Sequence, residues 1–121
     1  MTNRLRRLNE ADEYWSDEGC FILELSNSSD DEACSIARAR VPAGATTQPH
    51  KLAGTVERYV IIQGQGIVSV AGESPEPVAA LDVVIIPENV RQSITNTGKE
   101  DLVFLCVCTP RFVQENYQGV D

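Results

Sequence analysis

The sequence predicts an all-β fold, an antiparallel sandwich or a small barrel built from short strands. Along the 121 residues, about eight short runs rich in β-branched and aromatic residues recur at regular spacing, and glycine or proline separates them. Helical periodicity is almost absent. Both observations are typical of a chain whose strands form two packed sheets or one closed sheet.

The strands can be placed one by one. Cys20 to Leu25 predicts the first, and residues 33–41 predict the second because their side chains alternate between two faces until Pro42. Arg58 to Ile62 has the composition of a buried strand, and Gly64 to Gly66 predicts a turn into the next strand. The remaining strands are predicted at residues 67–70, 81–86, 90–95 and 101–109.

The length indicates a single domain that spans residues 1–121, with its strand core at about 20–110. Residues 1–19 are expected to form a lead-in that is irregular or briefly helical. Residues 111–121 are expected to form a polar tail, helical or extended. Residues 96–100 predict a hairpin loop before the last strand.

The net charge of −8 argues against nucleic acid and anionic membranes as partners, since both need clustered lysine and arginine. No apolar run reaches the length of a membrane span, and the N-terminus lacks the apolar segment of a secretory signal. We therefore expect a cytoplasmic protein.

The four cysteines are expected to be free. They form no C-x-x-C pair, so they predict neither a zinc site nor a disulfide framework in a reducing compartment. Free cysteines are among the most buried residues, so we expect Cys20, Cys34, Cys106 and Cys108 in the core. The alternative is that Cys106 or Cys108 faces a pocket.

The stretch from Gly44 to Gly64 carries the polar residues of greatest interest. His50 is the only histidine of the chain, and Glu57 follows it in the next predicted strand. The two should therefore lie on neighbouring strands or at a strand edge, where their side chains can converge inside the fold.

The chain resembles a small single-domain cupin in two motifs. Their positions are Gly44, His50, Glu57 and Gly64 for the first motif, and Leu81, Pro87, Asn89, Gln92 and Asn96 for the second. The resemblance spans roughly residues 33 to 110 and implies a double-stranded β-helix, the jelly-roll or cupin barrel, made of short antiparallel strands.

The departures from the cupin motifs concern the metal ligands. Metal-binding cupins use two histidines and a glutamate of the first motif with a histidine of the second; here Leu52 and Gln92 replace two of the histidines. His50, Glu57 and Gln92 remain as a degenerate site for a weakly held divalent metal ion, completed by water or ligand oxygens. The alternative is a metal-free, hydrogen-bonded polar cluster, because a buried carboxyl needs a partner.

Strand alternation extends the predicted pocket. The side chains expected to share its lining are Gln48, Leu52, Tyr59, Phe104 and Cys106, although the last predicted strand could instead turn its other face inward. The opposite face of that strand is also apolar, so together with the resemblance it predicts a homodimer.

Three functions remain open at this point. The resemblance implies a small polar molecule in the barrel and, if the protein is an enzyme, metal-assisted isomerase, lyase or dioxygenase-like chemistry. A non-catalytic small-molecule binder uses the same residues for hydrogen bonds alone. A structural dimer with a metal-free polar pocket is the third alternative.

Overall fold

The computed structural model describes residues 4–120, and its regular secondary structure is almost entirely β-strand. They are β1 (Tyr14–Trp15), β2 (Phe21–Ser26), β3 (Ser35–Val41), β4 (His50–Leu52), β5 (Val56–Gln63), β6 (Gln65–Val70), β7 (Glu76–Ala79), β8 (Val83–Ile86), β9 (Gln92–Asn96), β10 (Leu102–Thr109) and β11 (Tyr117–Gly119). Short 3-10 helices cover Glu10–Asp12 and Gln114–Asn116. No helix within residues 4–120 is long and apolar enough to cross a membrane.

The strands form two antiparallel sheets. One has six strands in the order β1-β2-β3-β10-β5-β8, and the other has five in the order β11-β4-β9-β6-β7. The predicted all-β architecture of short antiparallel strands is thereby confirmed.

The register of the six-stranded sheet separates an apolar core from a polar end. Strand β10 pairs with β5 so that Cys106 lies opposite Tyr59 and Cys108 lies opposite Glu57. Phe104 continues the same inward face and is 2% exposed, in the core between the sheets. The face of β10 that carries Phe104, Cys106 and Cys108 therefore points inward, a choice that the sequence alone did not make. Toward Cys108 this face becomes polar, and a cavity opens there.

The predicted hairpin at residues 96–100 is wrong. Strand β9 belongs to the five-stranded sheet and β10 to the six-stranded one, so the loop crosses between sheets. The Asn96 amide holds it by donating to the carbonyl oxygens of Val41 at 2.9 Å and Glu100 at 2.8 Å. The turn at Gly64 is also a corner between sheets, where a Cβ would come within 2.9 Å of the Asp101 carbonyl oxygen.

Leu81 and Asn89 stand where the second cupin motif has glycine, and both have the backbone conformation that favours glycine. Leu81 has φ 76° and Asn89 has φ 63°, both in the left-handed region. Asparagine tolerates this region because its short polar side chain bonds locally, whereas a leucine Cβ is strained there. The turn before β8 therefore retains the motif's geometry at an energetic cost.

Both ends of the described chain add strands to sheet edges. The lead-in supplies β1, which pairs with β2, and it is tied to β3 by Arg38–Glu10 and Arg40–Glu13 ion pairs of 2.6 Å each. The tail supplies β11, which pairs with β4. The segments predicted as a lead-in and a tail thus become part of the sheets.

Candidate ligand-binding site

A cavity of about 320 Å³ lies at the polar end of the space between the sheets. Its base comes from β4, β5 and β10, whose inward side chains there are His50, Leu52, Glu57, Cys106 and Cys108. Residues from the lead-in and the tail complete the walls: Tyr14, Trp15, Ser16, Asp17, Glu18, Phe112, Gln114 and Tyr117. Ile22, Glu24, Ser35 and Ala37 of β2 and β3 close the remaining side.

His50 is held in one orientation. Its Nδ1 lies 3.0 Å from the Gln48 carbonyl oxygen, and it must be the donor because a carbonyl oxygen can only accept. Nε2 is therefore the ring nitrogen left to interact with a ligand. Nε2 lies 3.9 Å from Oε2 of Glu18. The imidazole stacks on the ring of Tyr117 with 5.2 Å between centroids, and it is only 2% exposed.

Glu57 is a buried carboxyl group with one oxygen unused. Oε2 accepts from the thiol of Cys108 at 3.8 Å, whereas Oε1 has no hydrogen-bond partner among residues 4–120. Burial, followed by the negative charge of Glu18, raises the pKa of Glu57 to about 7; Gln92 and the nearby thiols partly offset this rise. The carboxyl group therefore exchanges its proton near neutral pH.

Sequence reasoning missed Glu18, as it missed the other wall residues that the lead-in and the tail supply. The side chain of Glu18 is 26% exposed at the cavity wall, and burial raises its pKa while the neighbouring His50 opposes the rise. It lies outside both motifs, in a stretch with only turn chemistry. No local pattern could have identified it, because its position depends on β1 pairing with β2.

The side-chain oxygen of Gln92 already has a hydrogen-bond partner. The residue is 1% exposed and lies beside His50 in the register of β4 and β9, and its Oε1 accepts a hydrogen bond from the hydroxyl of Tyr59. The amide nitrogen that remains can only donate. Within residues 4–120, no group of three His, Cys, Asp or Glu side chains is placed to hold a metal ion. The donors present do not fit a firmly held divalent ion.

The predicted lining residues divide into two sets. Leu52 and Cys106 line the cavity. Tyr59 and Phe104 instead pack against each other in the core beneath it, with ring centroids 4.4 Å apart. Gln48 is exposed, because β4 begins only at His50 and the alternation does not extend back beyond that residue.

The cysteines are all free, as the sequence predicted. Cys20 is buried in the core, whereas Cys106 and Cys108 both line the cavity. Cys108 is also a buried core residue and Cys106 packs against the core, so the two expected positions coincide here, whereas Cys34 is only partly buried. Burial raises the pKa of both thiols, so they remain protonated near neutral pH and act as weak hydrogen-bond donors.

Comparison with known proteins places this geometry in a family. Residues 37–108 match the family described as Cupin domain. The uncharacterized protein MJ1618 of Methanocaldococcus jannaschii is 31% identical over 105 residues, which are 85% of this chain and 83% of that protein. The oxalate-binding protein of Thermotoga maritima is 38% identical over 71 residues. These residues are 59% of this chain and 58% of that protein, so the match spans only part of each.

A structural neighbour shares the same fold. A structure of Streptomyces PAC13 with uridine has a TM-score of 0.82 and 18% identity, covering 99% of this chain and 92% of that one. Pac13 is described as a nucleoside dehydratase. At this identity the likeness shows the fold alone. With the family match over more than half of its length, the chain belongs to the cupin domain family.

Proposed function

We propose that this cupin binds a small polar molecule in its cavity and catalyses a proton-transfer reaction on it, of the lyase or isomerase type, without a firmly held metal ion. The observation that carries the proposal is Glu57. Its carboxyl group is buried at the cavity base, has a free oxygen, and has a pKa of about 7. A general acid or base works best with a pKa close to the working pH.

His50 supplies the second proton-transfer group. With Nδ1 committed to the Gln48 carbonyl oxygen, the neutral imidazole accepts a proton at Nε2. In a dehydration, this nitrogen takes the proton from a carbon next to a carbonyl, and the C–H electrons form the new double bond. Glu57 in its protonated form donates to the departing hydroxyl group, which leaves as water. In an isomerisation, the proton returns to a neighbouring atom instead.

The dehydratase description of Pac13 supports a lyase within this fold. Dioxygenase-like chemistry receives less support, because it needs a firmly held metal ion with open positions and Gln92 turns its oxygen to Tyr59. The second candidate is a non-catalytic binder, favoured by the name of the oxalate-binding relative. In a binder, Glu57 and His50 hydrogen-bond the ligand without proton transfer.

Proton NMR in D₂O separates the two functions. The wild-type protein and Glu57→Gln are incubated with uridine and with a panel of small β-hydroxy carbonyl compounds. An enzyme exchanges deuterium into a substrate or releases water from it, and Glu57→Gln slows this by about 100-fold or more. Ligand binding by the wild-type protein without any conversion would establish the binder instead.

The outer face of the six-stranded sheet supports a homodimer. Ile62, Val83 and Ile85 are 47%, 57% and 64% exposed there, on the adjacent strands β5 and β8. Contiguous exposed apolar residues mark interaction surfaces. We propose that this face pairs with a second copy, and that the protein is cytoplasmic, in keeping with four free cysteines.

A further inference from the structure

The charged lining of the cavity has one sign. Carboxyl groups of Asp17, Glu18, Glu24 and Glu57 line it, and no lysine or arginine does among residues 4–120. Of the lining side chains in the described part of the chain, only His50 can carry positive charge. A dicarboxylate or a phosphate would therefore enter a space with negative charge on several sides and little to compensate it.

These carboxyl groups do not form a single surface cluster. They come from the segment after β1, from β2 and from β5, so they surround the cavity. Glu57 lines the cavity while only 7% exposed, and its Oε1 has no hydrogen-bond partner among residues 4–120. A buried acceptor without a donor costs stability unless a ligand supplies that donor.

Four aromatic side chains also contribute to the cavity walls. Tyr14, Trp15, Phe112 and Tyr117 line the same cavity. The face of an aromatic ring attracts a cation, and carboxylates beside aromatic rings are a common environment for organic ammonium groups. Both kinds of side chain thus favour the same sign of charge in the ligand.

Building on the proposed function, we propose that the ligand of this cavity is a small organic cation, with its charged nitrogen directed at Glu18 and its apolar part against the aromatic side chains. The relative named as an oxalate-binding protein covers 59% of this chain. Glu18 lies in the lead-in, outside residues 37–108 that match the family. A different ligand charge is therefore compatible with the shared barrel.

The test uses probes of one shape and three charges. Benzamidine, benzamide and benzoate share a planar ring and are cationic, neutral and anionic at pH 8; oxalate is added as a dianion. Affinities are measured by isothermal titration calorimetry on the full chain. We expect benzamidine to bind at least about tenfold more tightly than benzamide. Benzoate and oxalate should bind more weakly than benzamide.

Glu18→Gln removes one carboxylate while keeping the side-chain shape. It should lower the affinity for benzamidine by about tenfold and leave that for benzamide unchanged. Glu88→Gln is the matched control, since Glu88 is exposed and lies outside the cavity; it should change neither affinity.

Three results would overturn the inference: benzoate or oxalate binding as tightly as benzamidine, an unchanged benzamidine affinity in Glu18→Gln, or no binding of any probe. The proposed function is judged separately, by Glu57-dependent conversion in D₂O. If anions bind and the conversion depends on Glu57, the inference of a cationic ligand fails while the proposed catalytic function stands. If cations bind but no conversion occurs, the inference of a cationic ligand stands and the protein is a non-catalytic binder.

Discussion

The hydroxyl of Tyr59 donates its hydrogen bond to Oε1 of Gln92, beneath the base of the cavity. Both side chains are almost fully buried. Gln92 stands where the second cupin motif has a metal-binding histidine, and its oxygen is already in use. The residue that replaces a metal ligand has thus become one half of a buried polar pair.

We expect the purified, untagged protein to contain much less than one metal ion per chain, even after incubation with manganese, iron, nickel and zinc. Two changes that restore the missing imidazoles, Leu52→His and Gln92→His together, should raise the content toward one, because imidazole is a strong ligand for these ions. Elemental mass spectrometry measures both. Stoichiometric metal in the wild-type protein that disappears in His50→Ala would contradict the prediction.

Tyr59→Phe should lower the free energy of unfolding by about 1–3 kcal/mol, because it leaves the buried Gln92 oxygen without a donor. Tyr14→Phe, at a half-exposed tyrosine, should change it by less than about 0.5 kcal/mol. The double variant Tyr59→Phe, Gln92→Met removes both partners and should cost less than the two single changes added together. Urea denaturation gives the values, and strict additivity would show that the two groups are not coupled.

The dependence of stability on pH should reveal Glu57. Its pKa rises from the usual 4.5 to about 7 in the folded protein, so the native state binds this proton more tightly than the unfolded state. The stability contributed by the protonated carboxyl is complete below pH 4.5 and is lost as the pH rises toward 7. Glu57→Gln stays neutral, so it should be more stable than the wild-type protein at pH 8 by up to about 3 kcal/mol.

The same comparison at pH 4.5 should give nearly equal stabilities. Other carboxyl groups also titrate across this range, but they are common to both proteins and cancel in the difference. A gap between Glu57→Gln and the wild-type protein that is constant with pH, or larger in acid, would show that folding does not raise the pKa of Glu57.

Leu81→Gly should stabilise the protein by up to about 1 kcal/mol. Leu81 has φ 76° and is 83% exposed, so glycine relieves backbone strain without removing core contacts. The greater freedom of glycine in the unfolded state offsets part of this gain. Leu81→Ala is the control, since alanine retains the Cβ and should bring no gain. Equal effects of glycine and alanine on thermal unfolding would exclude strain as the cause.

Ile85→Lys should convert the proposed homodimer into a monomer, because it places a charge within the exposed apolar face of the six-stranded sheet. Ile67→Lys is the matched control: Ile67 is 42% exposed on the other sheet. Light scattering coupled to size-exclusion chromatography reports the mass. A wild-type monomer, or a dimer that survives Ile85→Lys, would rule out this interface.

The sequence predicted the fold and the base of the site from short-range information. Strand alternation and the motif spacings identify the inward face of β5, and with it Glu57. The sequence did not decide which face of β10 points inward, because both faces are apolar. The hairpin error at residues 96–100 has a related cause, since a turn-rich loop looks the same whether it joins neighbours in one sheet or crosses to another.

The walls of the cavity could not be predicted in this way. Glu18 and Tyr117 reach His50 from opposite ends of the chain, and their placement depends on β1 and β11 adding to sheet edges. Those strands have two and three residues, too few for periodicity to distinguish them from loops. The direction of the Gln92 oxygen could not be predicted either, because it depends on the hydrogen bond with Tyr59 in the packed interior.

The central strands form the base of the cavity, and the two ends of the chain form part of its walls. This arrangement affects how the protein could acquire new ligands. His50 and Glu57 lie within residues 37–108, whereas Glu18 and Tyr117 lie outside that span. Edge strands tolerate substitution and changes of length better than the central strands of a sheet. Exchanging the two end segments between relatives should therefore transfer ligand preference while the base of the cavity stays unchanged, which makes the termini the natural sites for engineering selectivity.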